Sequence, residues 1–413
     1  MDKIFYNKKI NGRVTAISSK SEAHRYLICA SLGDRPTKIV CTDTNADIDA
    51  TVSCLNSLGA DISRDGSVFT VKPIECVNMD ATLDANESGS TLRFMLPVAA
   101  ALGASCEILM RGRLASRPLS PLYELLENSG ILLSEQGVSP LNIKGKLKAG
   151  NYSLAANISS QFISGMLFAL SICKGESKLR LEGKLESAPY VEMTLDSLCT
   201  FGADIDFDTM TSTYTIKGKD KLTSLGVVTV GGDWSNAAFF LAAGAIGDDP
   251  VTVTNLDQNS RQGDREMLEI LKKMGAKVSV IGNDVTVFPS KLCPVDIDAS
   301  QIPDLVPILA TVASVAEGKT TIYNASRLRL KESDRIESVC DMLTSLGADI
   351  TPTDDGMVII GKPRLSGGAV DSHNDHRIAM SAAIASLVCD GEVKISRFEA
   401  INKSYPSFAE NFI

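Results

Sequence analysis

The side chains able to do chemistry gather in eight short segments: Ser19-Lys20-Ser21 with Arg25, Ser88-Gly89-Ser90 with Arg93, Arg117-Pro118, Ser159-Ser160-Gln161, Ile302-Pro303-Asp304, Lys331-Glu332 with Arg335, Asn374-Asp375-His376-Arg377, and Lys403-Ser404-Tyr405-Pro406. Serine hydroxyls and amides hydrogen-bond anionic oxygens, and lysine and arginine neutralise them. Asp304 and Glu332 stand among these cations, where a simple anion trap would avoid carboxylates. A base and an acid for proton transfer fit that placement. Taken singly, Ser21, Ser90, Ser160, Ser235 and Asp304 could be helix N-caps. Capping does not explain Lys20, Arg25, Arg93 and Arg377, because cations near a helix N-terminus are unfavourable. A bound anion would offset that cost.

The elements that must carry these residues repeat along the chain. Leu58-Gly59-Ala60-Asp61 recurs as Phe201-Gly202-Ala203-Asp204, Met274-Gly275-Ala276-Lys277 and Leu346-Gly347-Ala348-Asp349, with a degenerate copy at Ser129-Gly130-Ile131. These glycines stand 71 to 73 residues apart. Each follows an amphipathic stretch, such as Ile336, Val339, Leu343 and Leu346, and reads as a helix C-cap. Two β-rich runs around a turn come next, as in Asp349 to Ile360, the signature of a hairpin. A second, uniformly apolar helix recurs on the same period, ending at Gly33, Gly103, Gly175, Gly247, Gly318 and Gly391. Helices apolar on every side should be buried. Most of the chemical segments fall at the polar starts of these buried helices, where free backbone N–H groups favour anions.

A chain of 413 residues exceeds one compact core and fits two domains of roughly 200 residues each. Six repeats divide into two groups of three, with a natural boundary near Gly231-Gly232, giving an α/β (α+β) protein. A propeller is the structural alternative, and the helices argue against it.

Composition removes several function classes. A net charge of -9 argues against nucleic acid, which demands a basic footprint. No apolar run approaches the roughly 20 residues that span a bilayer, and the first ten residues lack a signal-peptide core, so a cytoplasmic protein is expected. Ten scattered cysteines without a C-x-x-C pair read as reduced, mostly buried side chains. The Walker phosphate loop and the dinucleotide fingerprint are both absent, so no cofactor is expected. With three histidines in all, His373 and His376 make a poor metal site, and no metal is expected.

Together the eight segments, in this order along nearly the whole chain, resemble the 5-enolpyruvylshikimate-3-phosphate synthases, or 3-phosphoshikimate 1-carboxyvinyltransferases. The resemblance implies two domains of three βαβαββ units each, residues 1–17 with 231–413 and residues 18–230, with the active site in the cleft between them. It implies transfer of the enolpyruvyl group of phosphoenolpyruvate to 3-phosphoshikimate, on the shikimate route to chorismate and aromatic amino acids. Lys20, Gly89, Arg117, Gln161, Arg335, Arg377 and Lys403 would hold phosphoenolpyruvate. Ser21, Arg25, Ser159, Ser160, Gln161, Ser187, Asp304 and Lys331 would hold 3-phosphoshikimate, with Arg93 near the same site. On this reading Asp304 takes the proton of the acceptor's 5-hydroxyl, Lys20 and Glu332 serve proton delivery and removal at the methylene, and His376 assists or merely orients Glu332. A monomer is expected, and the retained Gly89 leaves room for glyphosate, so inhibition is expected too.

Three positions depart from the family pattern. Ile17-Ser18 replaces Pro-Gly, Glu87 replaces an asparagine, and Arg327 stands where asparagine is frequent. Two rival readings remain open. The sister transferase acting on UDP-N-acetylglucosamine pairs its lysine with asparagine and carries a loop cysteine, whereas here Ser21 follows Lys20 and Arg111 to Pro121 has no cysteine. A non-catalytic anion-binding scaffold would keep the repeats without needing Lys20, Asp304 and Glu332.

Overall fold

A computed structural model describes residues 1–6 and 8–413. Its eleven α-helices, in chain order, are α1 (Lys20–Ser31), α2 (Ala46–Ser57), α3 (Gly89–Leu102), α4 (Leu122–Asn128), α5 (Ser160–Ser171), α6 (Ala188–Thr200), α7 (Trp234–Ile246), α8 (Met267–Lys273), α9 (Val306–Ala313), α10 (Arg335–Ser345) and α11 (His376–Ala385). Six small sheets accompany them, five of four strands and one of three. That is one sheet per sequence repeat, the mixed α/β architecture expected from the period.

A single repeat shows how sequence becomes structure. Ile297–Asp298 pairs in parallel with Lys319–Tyr323, so a crossover must join them, and apolar α9 supplies it. Amphipathic α10 then leads into Asp349–Thr353, which forms a hairpin with Gly356–Ile360, and that strand closes antiparallel on Lys319–Tyr323. The glycines after the amphipathic helices have left-handed backbones, with φ of +114° at Gly59 and +87° at Gly347. A side chain there would be strained, which is why the period is written in glycine.

Two repeats draw a strand from far away in sequence. Arg13–Thr15 pairs in parallel with Val251–Thr254, and Val227–Thr229 pairs in parallel with Thr37–Val40. The sixth sheet takes Lys3–Phe5 as the antiparallel partner of Val393–Ser396, filling the place of the missing hairpin. The chain accordingly separates into two compact units, Met1–Ser19 with Gly231–Ile413, and Lys20–Val230.

Each unit has its own core. In the first, Trp234, Phe239, Phe240 and Phe408 are buried with the inner faces of α7, α9 and α11. The second packs Phe94, Phe162 and Phe168 among α1, α3 and α5. Burying a side chain of this size contributes about 1.5–3 kcal/mol, so the apolar helices are fixed firmly. Close approach fixes them further: a Cβ on Gly165 of α5 would lie 2.3 Å from the Arg93 carbonyl oxygen of α3. Seven of the ten cysteines are buried and all ten are free thiols. Among the described residues, no helix is long and apolar enough to cross a membrane.

Candidate active site

In the Lys20–Val230 unit the cap assignments from sequence need correction. Ser88 and Ser159 cap α3 and α5, accepting from the Thr91 and Gln161 amides. Ser90 lies within α3 and Ser160 opens α5, because each helix begins earlier than the apolar pattern suggests. The Ser90 hydroxyl instead accepts a 2.9 Å bond from Gln161 Nε2, while Gln161 Oε1 accepts from Arg93 Nη1 at 3.1 Å. Gly165 permits this meeting by letting α5 lie against α3.

Gly89 forms the floor of the same group. A Cβ there would come within 2.6 Å of Arg93 Nη1 and 2.7 Å of Arg117 Nη1, so the two guanidinium groups close over a position only glycine leaves open. Arg93 also donates to the Pro118 carbonyl at 3.2 Å, and Arg117 is buried. Gly89, Arg93, Arg117 and Gln161, read separately from sequence, are therefore brought together.

Lys20 opens α1, and its ammonium pairs with Asp47 at the start of α2 at 3.0 Å. Arg25, one turn on, is buried; it donates to Thr194 Oγ1 at 2.8 Å, the Ser21 carbonyl at 2.6 Å and the Tyr190 carbonyl at 2.7 Å. Burial lowers its pKa to about 10, so it remains a cation near neutral pH. Two of its five N–H groups thus tie α1 to α6 and a third closes on the turn of α1 itself. Ser187 precedes α6 with φ of +54°, a left-handed backbone held by the Tyr190 amide donating to its carbonyl at 3.1 Å. Asn86, before α3, and His373 and Asn374, before α11, share this uncommon conformation, with φ of 51°, 52° and 56°. Non-glycine residues held there concentrate at functional sites.

The other unit assembles charges of both signs. Asp304 sits in a short 3-10 turn before α9, so it is not a helix cap. Its Oδ1 accepts from Arg335 Nη1 at 2.8 Å and Lys331 Nζ at 3.4 Å, and its Oδ2 from Arg377 Nη2 at 3.2 Å. Arg377 Nη1 also donates to the Asp304 carbonyl at 3.0 Å. Arg335 begins α10 and is 1% exposed, donating to Asp375 Oδ2 at 2.8 Å and Glu332 Oε2 at 2.8 Å. Asp375 caps α11 through the Arg377 amide. Ser235, also read as a possible cap, yields that place to Asp233 and donates its hydroxyl to buried Asp264.

Electrostatics follow this geometry. Burial opposes the charge of Arg335, yet Asp375, Glu332 and Asp304 outweigh it and raise its pKa. Asp375 is held below the usual carboxylate range because Arg335 outweighs burial. Burial lowers the Lys331 pKa, with Asp304 opposing. Asp264 is pushed up to about 6 by burial and by Asp304. His376 is buried beside Asp375, with its Nδ1 3.9 Å from Asp375 Oδ1, and Lys403 donates to the Asn374 carbonyl at 2.7 Å.

The cations at the helix starts are therefore already engaged by protein oxygens, which offset part of the cost that the sequence reading gave to a bound anion. Sequence reading missed Asp47 and Asp264 as members of these groups, and it placed Asp375 in a segment without giving it a role. Asp47 carries no local signal beyond an acidic first turn, since its partner lies 27 residues away. Of the departures, Arg327 donates to the Ser300 carbonyl at 2.8 Å, and the Glu87 carboxyl packs beside Gly112.

A family model of EPSP synthase (3-phosphoshikimate 1-carboxyvinyltransferase) matches residues 5–412. Curated relatives carry the same description. The 3-phosphoshikimate 1-carboxyvinyltransferase of Clostridium kluyveri is 41% identical over 98% of this chain and 95% of its own. That of Clostridium perfringens strain SM101 is 42% identical over 98% and 96%. Among solved structures, EPSP synthase from Acinetobacter baumannii matches with a TM-score of 0.81 and 27% identity, covering 99% of this chain and 97% of that one. The enolpyruvyl transferase NikO from Streptomyces tendae shares the fold, with a TM-score of 0.78 at 19% identity over 99% and 96%. By its sequence repeats, its six small sheets and the match along almost its full length, the chain belongs to the EPSP synthase family.

Proposed function

We propose that this chain transfers the enolpyruvyl group of phosphoenolpyruvate to the 5-hydroxyl of 3-phosphoshikimate, releasing phosphate and 5-enolpyruvylshikimate 3-phosphate. The reaction belongs to the shikimate pathway. The observation that carries the reading is Asp304, a carboxylate held by Arg335, Lys331 and Arg377 with Glu332 on the same arginine. A binding protein for anions has no use for that carboxylate. A transferase does.

In this reading Arg335, Arg377 and Lys403 bind phosphoenolpyruvate together with Lys20, Gly89, Arg117 and Gln161. Ser21, Arg25, Ser159, Ser160, Gln161, Ser187, Asp304 and Lys331 bind the acceptor. Substrate anions compete with Asp304 for its cations. Drawing Lys331 or Arg377 away opens an Asp304 oxygen to accept the 5-hydroxyl proton as the hydroxyl oxygen attacks the enolpyruvyl carbon. The methylene gains a proton in the same addition and loses one when phosphate departs, and Lys20 and Glu332 are the groups proposed for that pair of transfers. The arginines stabilise the leaving phosphate.

The test is phosphate release from phosphoenolpyruvate with 3-phosphoshikimate, with each substrate omitted in turn. Release that needs both supports the reading; release only with UDP-N-acetylglucosamine moves the chain to the sister activity. No release with either acceptor favours an anion-binding scaffold. A monomeric enzyme working in the cytoplasm completes the proposal, and sedimentation at working concentration checks the first part.

A further inference from the structure

His24 lies one helical turn after Lys20 in α1 and is 1% exposed. Burial, with Lys20 and Arg25 adding to it, lowers its pKa well below the ordinary imidazole value, so the ring is neutral near pH 7. Its Nδ1 is 2.7 Å from Thr51 Oγ1 in α2, and Thr51 Oγ1 is 2.8 Å from Thr91 Oγ1 in α3. Thr91 Oγ1 in turn reaches Ser88 Oγ at 2.8 Å and the Asp47 carbonyl at 3.3 Å. The chain of polar groups thus starts beside Lys20. It ends at the cap that precedes Gly89 and at the residue whose carboxylate holds Lys20.

Counting protons gives this chain a direction. Each hydroxyl donates once, a neutral imidazole donates once, and the Asp47 carbonyl only accepts. If Thr91 donates to Asp47 or Ser88, then Thr51 donates to Thr91 and His24 Nδ1–H donates to Thr51. Nε2, which meets no protein partner, is then a bare acceptor. The opposite direction would leave a buried Nε2–H with nothing to receive it. Orphaned donors are the rarer and costlier kind. The Phe94 ring cannot serve, because its centroid is 6.5 Å from that of the imidazole, too distant for a ring nitrogen to donate to its face.

We propose that His24, Thr51 and Thr91 are positioning residues that hold the Lys20–Asp47 pair and the Ser88-Gly89 turn in register through a directed chain of hydrogen bonds. They pin the first turns of α1, α2 and α3 to one another. Because Lys20 and Gly89 belong to the phosphoenolpyruvate site, the inference rests on the enolpyruvyl-transfer reading. Loss of the central hydroxyl loosens donor binding and leaves the chemistry largely intact.

The experiment compares the wild-type enzyme with Thr51→Val and Thr51→Ser in steady-state kinetics, and records long-range 15N–1H spectra of the histidine rings. Only three histidines must be resolved, and His24→Asn assigns the signal. The expected result is an Nδ1-protonated His24 in the wild type. In Thr51→Val, KM for phosphoenolpyruvate rises about three- to tenfold with kcat within about twofold, and Thr51→Ser restores it. An Nε2-protonated His24 overturns the direction of the chain. An unchanged KM in Thr51→Val, or a loss that Thr51→Ser does not rescue, overturns the positioning role. Should Thr51→Val fail to fold, Thr51→Ala is read in the same way. Wild-type protein that releases no phosphate defeats the underlying reading instead, so the two failures are distinct.

Discussion

The two units hold their buried arginines Arg25 and Arg335 in different ways. In Lys20–Val230, Arg25 is held by carbonyl and hydroxyl oxygens, which orient a guanidinium without cancelling its charge. In the other unit Arg335 and Arg377 are held by Asp304, Glu332 and Asp375, which both orient and neutralise. The first arrangement leaves the positive charge in place, as the proposed anion site requires. The second sets carboxylates against the guanidinium groups, as the proposed proton transfer requires. Orienting a buried arginine and neutralising it thus have separate structural signatures within one chain.

The comparison breaks most visibly at Asp304. Asp304→Ala is expected to cut turnover about 10²–10⁴-fold in the phosphate-release assay while binding of phosphoenolpyruvate, to which Asp304 is not assigned, persists in calorimetry. A variant that turns over normally would reduce the carboxylate network to a structural device. Next comes Arg335→Met, which leaves Asp375 buried without its main cation and should cost about 3–5 kcal/mol in urea unfolding. A similar substitution of Arg25, whose partners are neutral, should cost less, and equal losses would erase the distinction.

Gly165→Ala tests the packing beneath the proposed Gly89, Arg93 and Gln161 site. The new methyl meets the Arg93 carbonyl at 2.3 Å, and that backbone cannot swing aside. A loss of about 1–3 kcal/mol is expected, with a raised KM for phosphoenolpyruvate as Gln161 shifts. Gly89→Ala meets only guanidinium ends, which can yield, so it should fold normally. Its expected effect is a severalfold rise in the inhibition constant for glyphosate, competitive with phosphoenolpyruvate, and unchanged inhibition would argue against the Gly89 cradle.

The smallest effect is a pH dependence that separates two buried carboxylates of the same unit. Asp264 has a folded pKa near 6 against an ordinary 3.8, so it favours the folded state below about pH 4 and that contribution is lost as pH rises through 6. Asp375, held low by Arg335, works with the opposite sign: its stabilisation is present above the ordinary carboxylate range and lost on acidification. Asp264→Asn should therefore gain stability relative to the wild type between pH 4 and 7. Unfolding midpoints across that range check it, and a flat difference would show Asp264 is not titrating there.

The fold was readable because its cause is local and repeated. A glycine in the left-handed region ends each amphipathic helix, and no other residue does this as cheaply, so the period survives in the letters. The helix starts that carry the candidate site were readable for the same reason, since polar residues interrupt apolar runs where the backbone N–H groups are free. Cap positions slipped by a residue or two because apolar periodicity marks where a helix is buried, and its first turn is polar. Ser88 in place of Ser90 is one such slip, and Asp233 in place of Ser235 another.

What a sequence by itself determined here is which residues sit at helix ends, how often the unit repeats and which cations need an explanation. Only the tertiary structure decided what those cations hold. Lys20 meets Asp47 across 27 residues, Arg25 meets Thr194 across 169, and Arg377 meets Asp304 across 73. Such pairings depend on how helices from different repeats pack, and packing is set by the shapes of whole apolar surfaces. No spacing within a single segment records them.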